Sequence, residues 1–478
     1  MIRRGRQSGL ARVAWLIGGL LLASTHDAYA SNDALLKLLE ILRNRGSISA
    51  EEYEQIRLVA DAPATALERA SAALPRTAES APAAVPPPST DERVTPLVNK
   101  ALAGKWYERI GLRGYTQFRY ADVLSHEGPA LEVPADRTVN ENESFVIRRG
   151  RFIFSGDAAP HVSLYAQMDF NGSTGAPDFA LQMRDLYADV WLDSTKLWRV
   201  RLGQSKVPYG FVNLQSSQNR AAFERPDALN SAVEGERDLG ASLMWNTATT
   251  KQRFREVGTT ALKGSGDYGM VSLGLYAGQG LNRPDQNGDI HAFGRVAYPF
   301  KVGHTQYLEL GLQGYRGRFV SPVQAITVNG ASVTPSQRLD GVVDQRVAVS
   351  AVLYPKPFGL EAEWTAGRGP TLSPDLGSIE ADELHGGYVQ AGYQTRNTAG
   401  AWFPFSRWNY YDGARKFARN APRAKVNEID FGVEFARWAE LELTGMYTHS
   451  FTRTRTGAYP YALTRRANRL GVQLQWNY

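Results

Sequence analysis

Arginines recur in this sequence at alternate positions of short segments that are otherwise apolar. Arg113 and Arg119 share a face with Tyr115 and Gln117, and Arg199 and Arg201 stand opposite Val200 and Leu202, because successive side chains of an extended strand point to opposite sides. A guanidinium offers five donors in a fixed fork that matches phosphate or carboxylate oxygens, and it stays charged at any working pH. Spaced along a water-filled passage, such groups replace part of an anion's hydration without trapping it. Arg148, Arg149 and Arg151 cannot all share one face, so the strand holding them needs a β-bulge or an arginine at headgroup level. The competing use of each guanidinium is an ion pair, or a solvated charge that keeps a bore wet.

Hydrolytic and metal chemistry find less support. The seven histidines are scattered, and neither H-E-x-x-H nor G-x-S-x-G occurs. With no cysteine in the chain, disulfide frameworks and thiolate zinc sites are excluded. No enzyme activity, cofactor or metal is expected.

The elements that would position the arginines are strands. Val162, Leu164, Ala166, Met168 and Phe170 alternate with polar neighbours, and the pattern returns at Leu186–Leu192, Val347–Leu353 and Ile429–Phe435. These segments run about nine to eleven residues, the length a tilted strand needs to cross hydrocarbon. The last one, Leu470 to Tyr478, stops on an aromatic residue, as a strand sealing a closed sheet in lipid would. Trp191, Trp198, Trp402, Phe403, Phe405 and Trp408 are read as interfacial aromatics. The expected fold is all-β: a transmembrane antiparallel β-barrel of about 16 strands over residues 106–478. A mean hydropathy of −0.35 excludes a helical membrane protein but not a barrel, whose strands are only half apolar. Glu361, Glu363, Glu434, Glu440 and Glu442 share presumed lumen faces of the C-terminal half.

The N-terminal part reads differently. Residues 1–30 carry Arg3, Arg4, Arg6 and Arg12, an apolar run and Ala28-Tyr29-Ala30, the pattern of a secretory signal cleaved after Ala30. Without it, 54 − 4 = 50 basic and 48 − 1 = 47 acidic residues remain. The basic excess that would suit nucleic acid is then mostly gone. Residues 31–61 have Leu35, Leu38, Leu39 and Leu42 at helical spacing, a coiled-coil-like segment that needs a partner to cover its face and is the candidate for contact with the cell wall. Residues 62–105 form an Ala/Pro-rich linker.

Several segments together resemble the phosphate-selective porin O and P family: Gly114–Tyr120, Phe145–Arg149, Arg184–Tyr187, Arg201–Gly210, Phe223–Arg225 and Asn427–Gly432. Their order along the chain is more specific than any one of them. The resemblance implies a bacterial outer-membrane porin surrounded by lipid, usually a homotrimer, that passes small anions through an arginine-lined bore. It also implies a constriction loop after the fifth strand, here roughly Lys206 to Pro226. Arg148 and Arg149 match the family's arginine pair, Ser216 and Ser217 its paired serines, and Arg225 the arginine of a Glu-Arg pair. Arg220 joins them as a pore-lining candidate. Where phosphate-selective members carry a loop lysine, Asn213 stands here, with Lys206 as the nearest substitute. That departure counts against phosphate selectivity. A general diffusion pore, an envelope tether and a soluble β-rich binding protein are the alternatives.

Overall fold

The structure, a computed structural model, describes residues 105–128, 144–172, 180–259, 262–303, 305–328, 330–455 and 462–478, with Arg43, Glu54 and Val139 as isolated positions. The chain divides into two compact units, Met1–Asn99 and Lys100–Tyr478. The signal segment lies outside the described residues, as do the helical segment apart from Arg43 and Glu54 and the linker apart from Lys105.

A turn of 3-10 helix, Trp106–Arg109, leads into the first strand. Among the described residues, seventeen strands form one sheet. One of them, the three-residue Thr395–Asn397, only extends a hairpin, so 17 − 1 = 16 strands make the wall. They are β1 (Ile110–Glu127), β2 (Ser144–Ala159), β3 (Val162–Asn171), β4 (Ala180–Trp191), β5 (Trp198–Lys206), β6 (Arg237–Trp245), β7 (Val271–Tyr276) and β8 (His291–Val302). Then come β9 (Gln306–Phe319), β10 (Val342–Leu353), β11 (Phe358–Leu372), β12 (Ile379–Tyr393), β13 (Gly400–Ala414), β14 (Arg423–Trp438), β15 (Leu441–Arg455) and β16 (Ala462–Asn477). Neighbours pair antiparallel, and β1 pairs with both β2 and β16. The sheet is therefore a closed barrel, and the terminal amphipathic strand is the seal. Closure removes the unpaired edge that lipid could not satisfy.

The outward face is apolar through the middle of the wall. Leu312 on β9 stands between Val296 on β8 and Val349 on β10, and all three are more than half exposed. The same face turns charged at Arg316, Arg368, Lys425 and Arg466, toward the end that carries the long connections. Several strands are longer than the nine to eleven residues expected, β1 reaching 18. The reason is visible here, since their pairing continues past the apolar band into polar territory. Apart from the connection between β6 and β7, short turns mark the opposite, periplasmic end.

Aromatic placement follows the expectation only in part. Trp198 stacks on Trp245 at 5.5 Å and Trp402 lies 4.4 Å from Phe435 near the periplasmic end, while Trp364 and Trp408 stack at 6.5 Å near the other end. Trp191, Phe403 and Phe405 point inward instead. The Trp191 indole N–H donates to Ser163, and Phe403 and Phe405 pack with Ala221, Ala222, Phe223 and Met446.

That inward cluster exists because the interior is not simply an open bore. The connection from β5 to β6, residues 207–236, folds into the lumen with two short helices, α1 (Phe211–Leu214) and α2 (Asp227–Asn230). Its Tyr209, Val212, Leu229 and Val233 pack on Tyr276, Phe293, Tyr315, Tyr388 and Tyr411 of the wall. The loop thus extends ten residues beyond Pro226, since β6 starts only at Arg237, and Lys206 belongs to β5. A second insertion comes from the periplasmic end, between β6 and β7. It carries α3 (Ala248–Thr259), whose Val257 joins Leu262, Phe211, Tyr307, Val352 and Tyr354 in a buried cluster.

Candidate functional site

The inward loop is held by charges. Glu224 at its far side receives Arg119 at 3.0 Å, Arg148 at 2.8 Å and Arg149 at 2.6 Å. The Arg407 guanidinium donates to the Glu224 backbone carbonyl at 2.7 Å, and Arg119 lies over the Phe223 ring at 4.5 Å. Burial pushes the Glu224 carboxyl up, but Arg148, Arg149 and Arg119 outweigh it and hold this loop group well below the usual carboxylate range.

Two β-bulges bring arginines to this network. Gln117 pairs with Arg149 and Phe118 with Ile147, so Arg148 is the extra residue and both arginines reach the interior. Likewise Gln167 pairs with Asp185 and Met168 with Met183, which turns Arg184 inward to within 4.0 Å of Asp169. The bulge therefore resolves the conflict among Arg148, Arg149 and Arg151 without a headgroup position.

At the other end of the loop, Glu236 is met by Arg225 at 3.0 Å, Arg220 at 3.6 Å and Arg184 at 4.0 Å, and it pairs with Arg237. Arg237 also reaches Asp185 at 2.9 Å. Arg151 binds Asp169 at 3.1 Å and donates to the Tyr115 and Ser217 hydroxyls at 2.7 Å each. On the far wall, the Glu363 carboxylate accepts the backbone N–H of Phe211 at 2.7 Å and of Val212 at 3.2 Å. Gly210 has φ +83°, a turn favourable only to glycine, and aims those N–H groups there.

The remaining candidates have varied surroundings. Arg113 is exposed to the bore and makes no ion pair or hydrogen bond among the described residues. Arg201 forms a two-pronged pair with Asp189 at 2.7 and 2.9 Å, and Arg199 donates to the Asp267 carbonyl of the second insertion. Lys206 donates to the Leu214 and Gln215 carbonyls at 2.9 Å each, which makes it a brace for α1. Asn213 donates to the Leu229 carbonyl at 3.0 Å and accepts from Arg225 at 3.2 Å. Ser216 lines a cavity below the loop. Among the acids, Glu440 lies in the turn between β14 and β15 and not on a lumen face, whereas Glu434 pairs with Lys263 at 2.7 Å.

Three of the cavities among the described residues follow one another along the barrel. One of about 260 Å³ on the long-loop side is lined by Arg148, Arg149, Arg151, Arg184, Arg225 and Arg415. A second of about 420 Å³ contains Arg113, Arg151, Arg201, Lys206 and Arg237. A third of about 480 Å³ opens at the periplasmic end by Trp438, Asn477 and Tyr478. Arg151 lines the first and second, and Arg113 the second and third. Sequence reasoning did not select Arg184, Glu224 or Glu236. The available signal was two adjacent charged residues in an alternating strand, as at Arg148-Arg149 and Arg184-Asp185, which marks a bulge.

The family model for phosphate-selective porin O and P matches residues 130–478. Among solved structures, OmpT of Vibrio cholerae with loop L8 deleted is 10% identical, with 77% of this chain and 99% of that chain covered and a TM-score of 0.46. An anion-selective porin from Comamonas acidovorans is 13% identical, with 77% and 99% covered and a TM-score of 0.42. Salmonella typhi OmpF in complex with daunomycin is 12% identical, with 77% and 97% covered and a TM-score of 0.46. The search of curated proteins finds no match.

Proposed function

This chain belongs to the phosphate-selective porin O and P family and is a porin of the bacterial outer membrane, and on that premise we propose that it conducts small anions by passive diffusion along an arginine-lined wall. The observation that carries the reading is the charge balance around the inward loop. Eight guanidiniums, of Arg119, Arg148, Arg149, Arg151, Arg184, Arg220, Arg225 and Arg237, are linked by ion pairs to four carboxylates, of Asp169, Asp185, Glu224 and Glu236. Eight less four leaves four positive charges uncompensated around the inward loop. In a passage with low-dielectric walls such an excess concentrates anions and repels cations.

The arginines divide the work. Those gripping Glu224 and Glu236 fix the loop, and Arg113 and Arg151, at the junctions between cavities, meet the passing ion. The solute class is small anions; with Asn213 committed to Leu229 and Arg225, nothing in the loop singles out phosphate. The reading extends to a homotrimer, to cleavage after Ala30, and to cell-wall contact through residues 31–61, as the sequence and the family resemblance imply. Cross-linking of the purified protein should trap three subunits.

The direct test is the reversal potential of the reconstituted channel in a potassium chloride gradient. Its sign should be that of chloride flow, and Arg113→Glu should shift it toward potassium. Cation preference in the unaltered protein would end the arginine-lined reading.

A further inference from the structure

The cavity below the inward loop is built for more than a simple ion. We propose that it is a binding site for aromatic monocarboxylates, which the channel takes in preference to inorganic anions and to aliphatic acids of the same charge; this rests on the anion-conducting reading above.

Its wall is a layered π surface. Tyr165 and Tyr187 stack across β3 and β4 at 5.0 Å, 11° from parallel. The Arg201 guanidinium lies 3.8 Å over the Tyr187 ring and 5.6 Å from that of Tyr268, contributed by the second insertion. All three tyrosines line the cavity and are half-buried, not sealed in the core. A planar ring can extend such a stack, and aromatic pairs gain energy beyond their area burial. An inorganic anion has no use for it.

Three polar atoms on residues lining the same cavity are left without a partner. Gln167 Nε2, Ser265 Oγ and Arg151 Nε have no hydrogen-bond partner among the described residues, although each residue is more than nine-tenths buried. Buried donors are ordinarily satisfied, so the protein wall around this cavity is short of acceptor oxygens. Positive charge is in place as well. Arg113 is unpaired among the described residues and lines this cavity. A volume of about 420 Å³ falls in the range of small-molecule sites. Carboxylate oxygens would meet Arg113, which is exposed to this cavity, while the ring lies along the tyrosines.

The test is inhibition of chloride current through the full-length channel in planar bilayers. Benzoate should halve the current at a concentration roughly three- to tenfold below that of cyclohexanecarboxylate, the factor a stacked aromatic pair supplies, and below that of inorganic phosphate. Tyr268→Leu, checked for folding by heat-modifiable gel mobility, should erase the difference between the two acids. Equal block by benzoate and cyclohexanecarboxylate in an anion-selective channel overturns this site alone, as does a preference that survives Tyr268→Leu. Cation selectivity in the salt gradient overturns the anion-conducting reading and this site with it.

Discussion

Glu224→Gln should destabilise the folded barrel by about 3–5 kcal/mol, because it leaves a set of buried charges without their partner. One carboxylate takes three guanidiniums within 3.0 Å, and its side chain is only 9% exposed, so solvent does little to screen the loss. The amide conserves shape but removes the charge, and the network goes from four uncompensated positive charges to five. The loop should loosen from β1 and β2, raising single-channel conductance and current noise while strengthening anion preference. Urea unfolding followed by the gel shift of the folded barrel measures the first effect, and bilayer recording the second. An unchanged unfolding midpoint would mean that the loop is held by its apolar contacts alone.

The pH dependence of this latch has a definite sign. The folded-state carboxyl is held below its ordinary value, so the stabilisation is fully present above the unfolded pKa of about 4.3 and is lost as pH falls through the lowered folded value. The latch should therefore survive mild acid. Arg148→Gln in the Glu224→Gln background should cost much less than Arg148→Gln alone, because contacting residues are not additive.

How far all this could be read from the residues depended on what each pattern physically encodes. The alternation at Val162–Phe170 encodes two faces and their solvents, and it placed β3 correctly. It does not distinguish lipid from a lumen filled by the protein's own loop. Phe403 and Phe405 look like membrane aromatics for that reason, yet they cover Phe223 inside. Tyr276, Phe293 and Tyr315 likewise occupy inward positions that a water-filled bore would give to polar groups. Loop boundaries were harder still. Pro226 reads as an end, but in the fold it precedes α2, and the chain returns to the wall only after Glu236 has gathered its arginines. A short helix buried against tyrosines has no periodicity of its own to announce it. The three-dimensional partner of a charge was also invisible: Arg119 and Glu224 are 105 positions apart, and only the folded loop joins them.

Leu312→Arg should cost about 2–4 kcal/mol of barrel stability in a bilayer, whereas Val302→Arg should cost only about 0–1. Both residues face outward on neighbouring strands, Leu312 54% and Val302 44% exposed. The difference between them is depth. Leu312 lies four residues from Leu308 on one side and four from Arg316 on the other, within a row formed with Val296 and Val349; Val302 ends β8 beside the periplasmic turn. A guanidinium at the centre of the hydrocarbon must drag water or headgroups inward, but at the rim its stem can carry the charge into the interface. Unfolding titrations of the two variants in lipid vesicles give the comparison directly. A depth-dependent cost requires that this face meet acyl chains, and it assigns the alternate residues, including Arg113 and Arg151, to the aqueous side of the wall. Equal and small costs at both positions would put water on both faces and remove the barrier against which any channel must work.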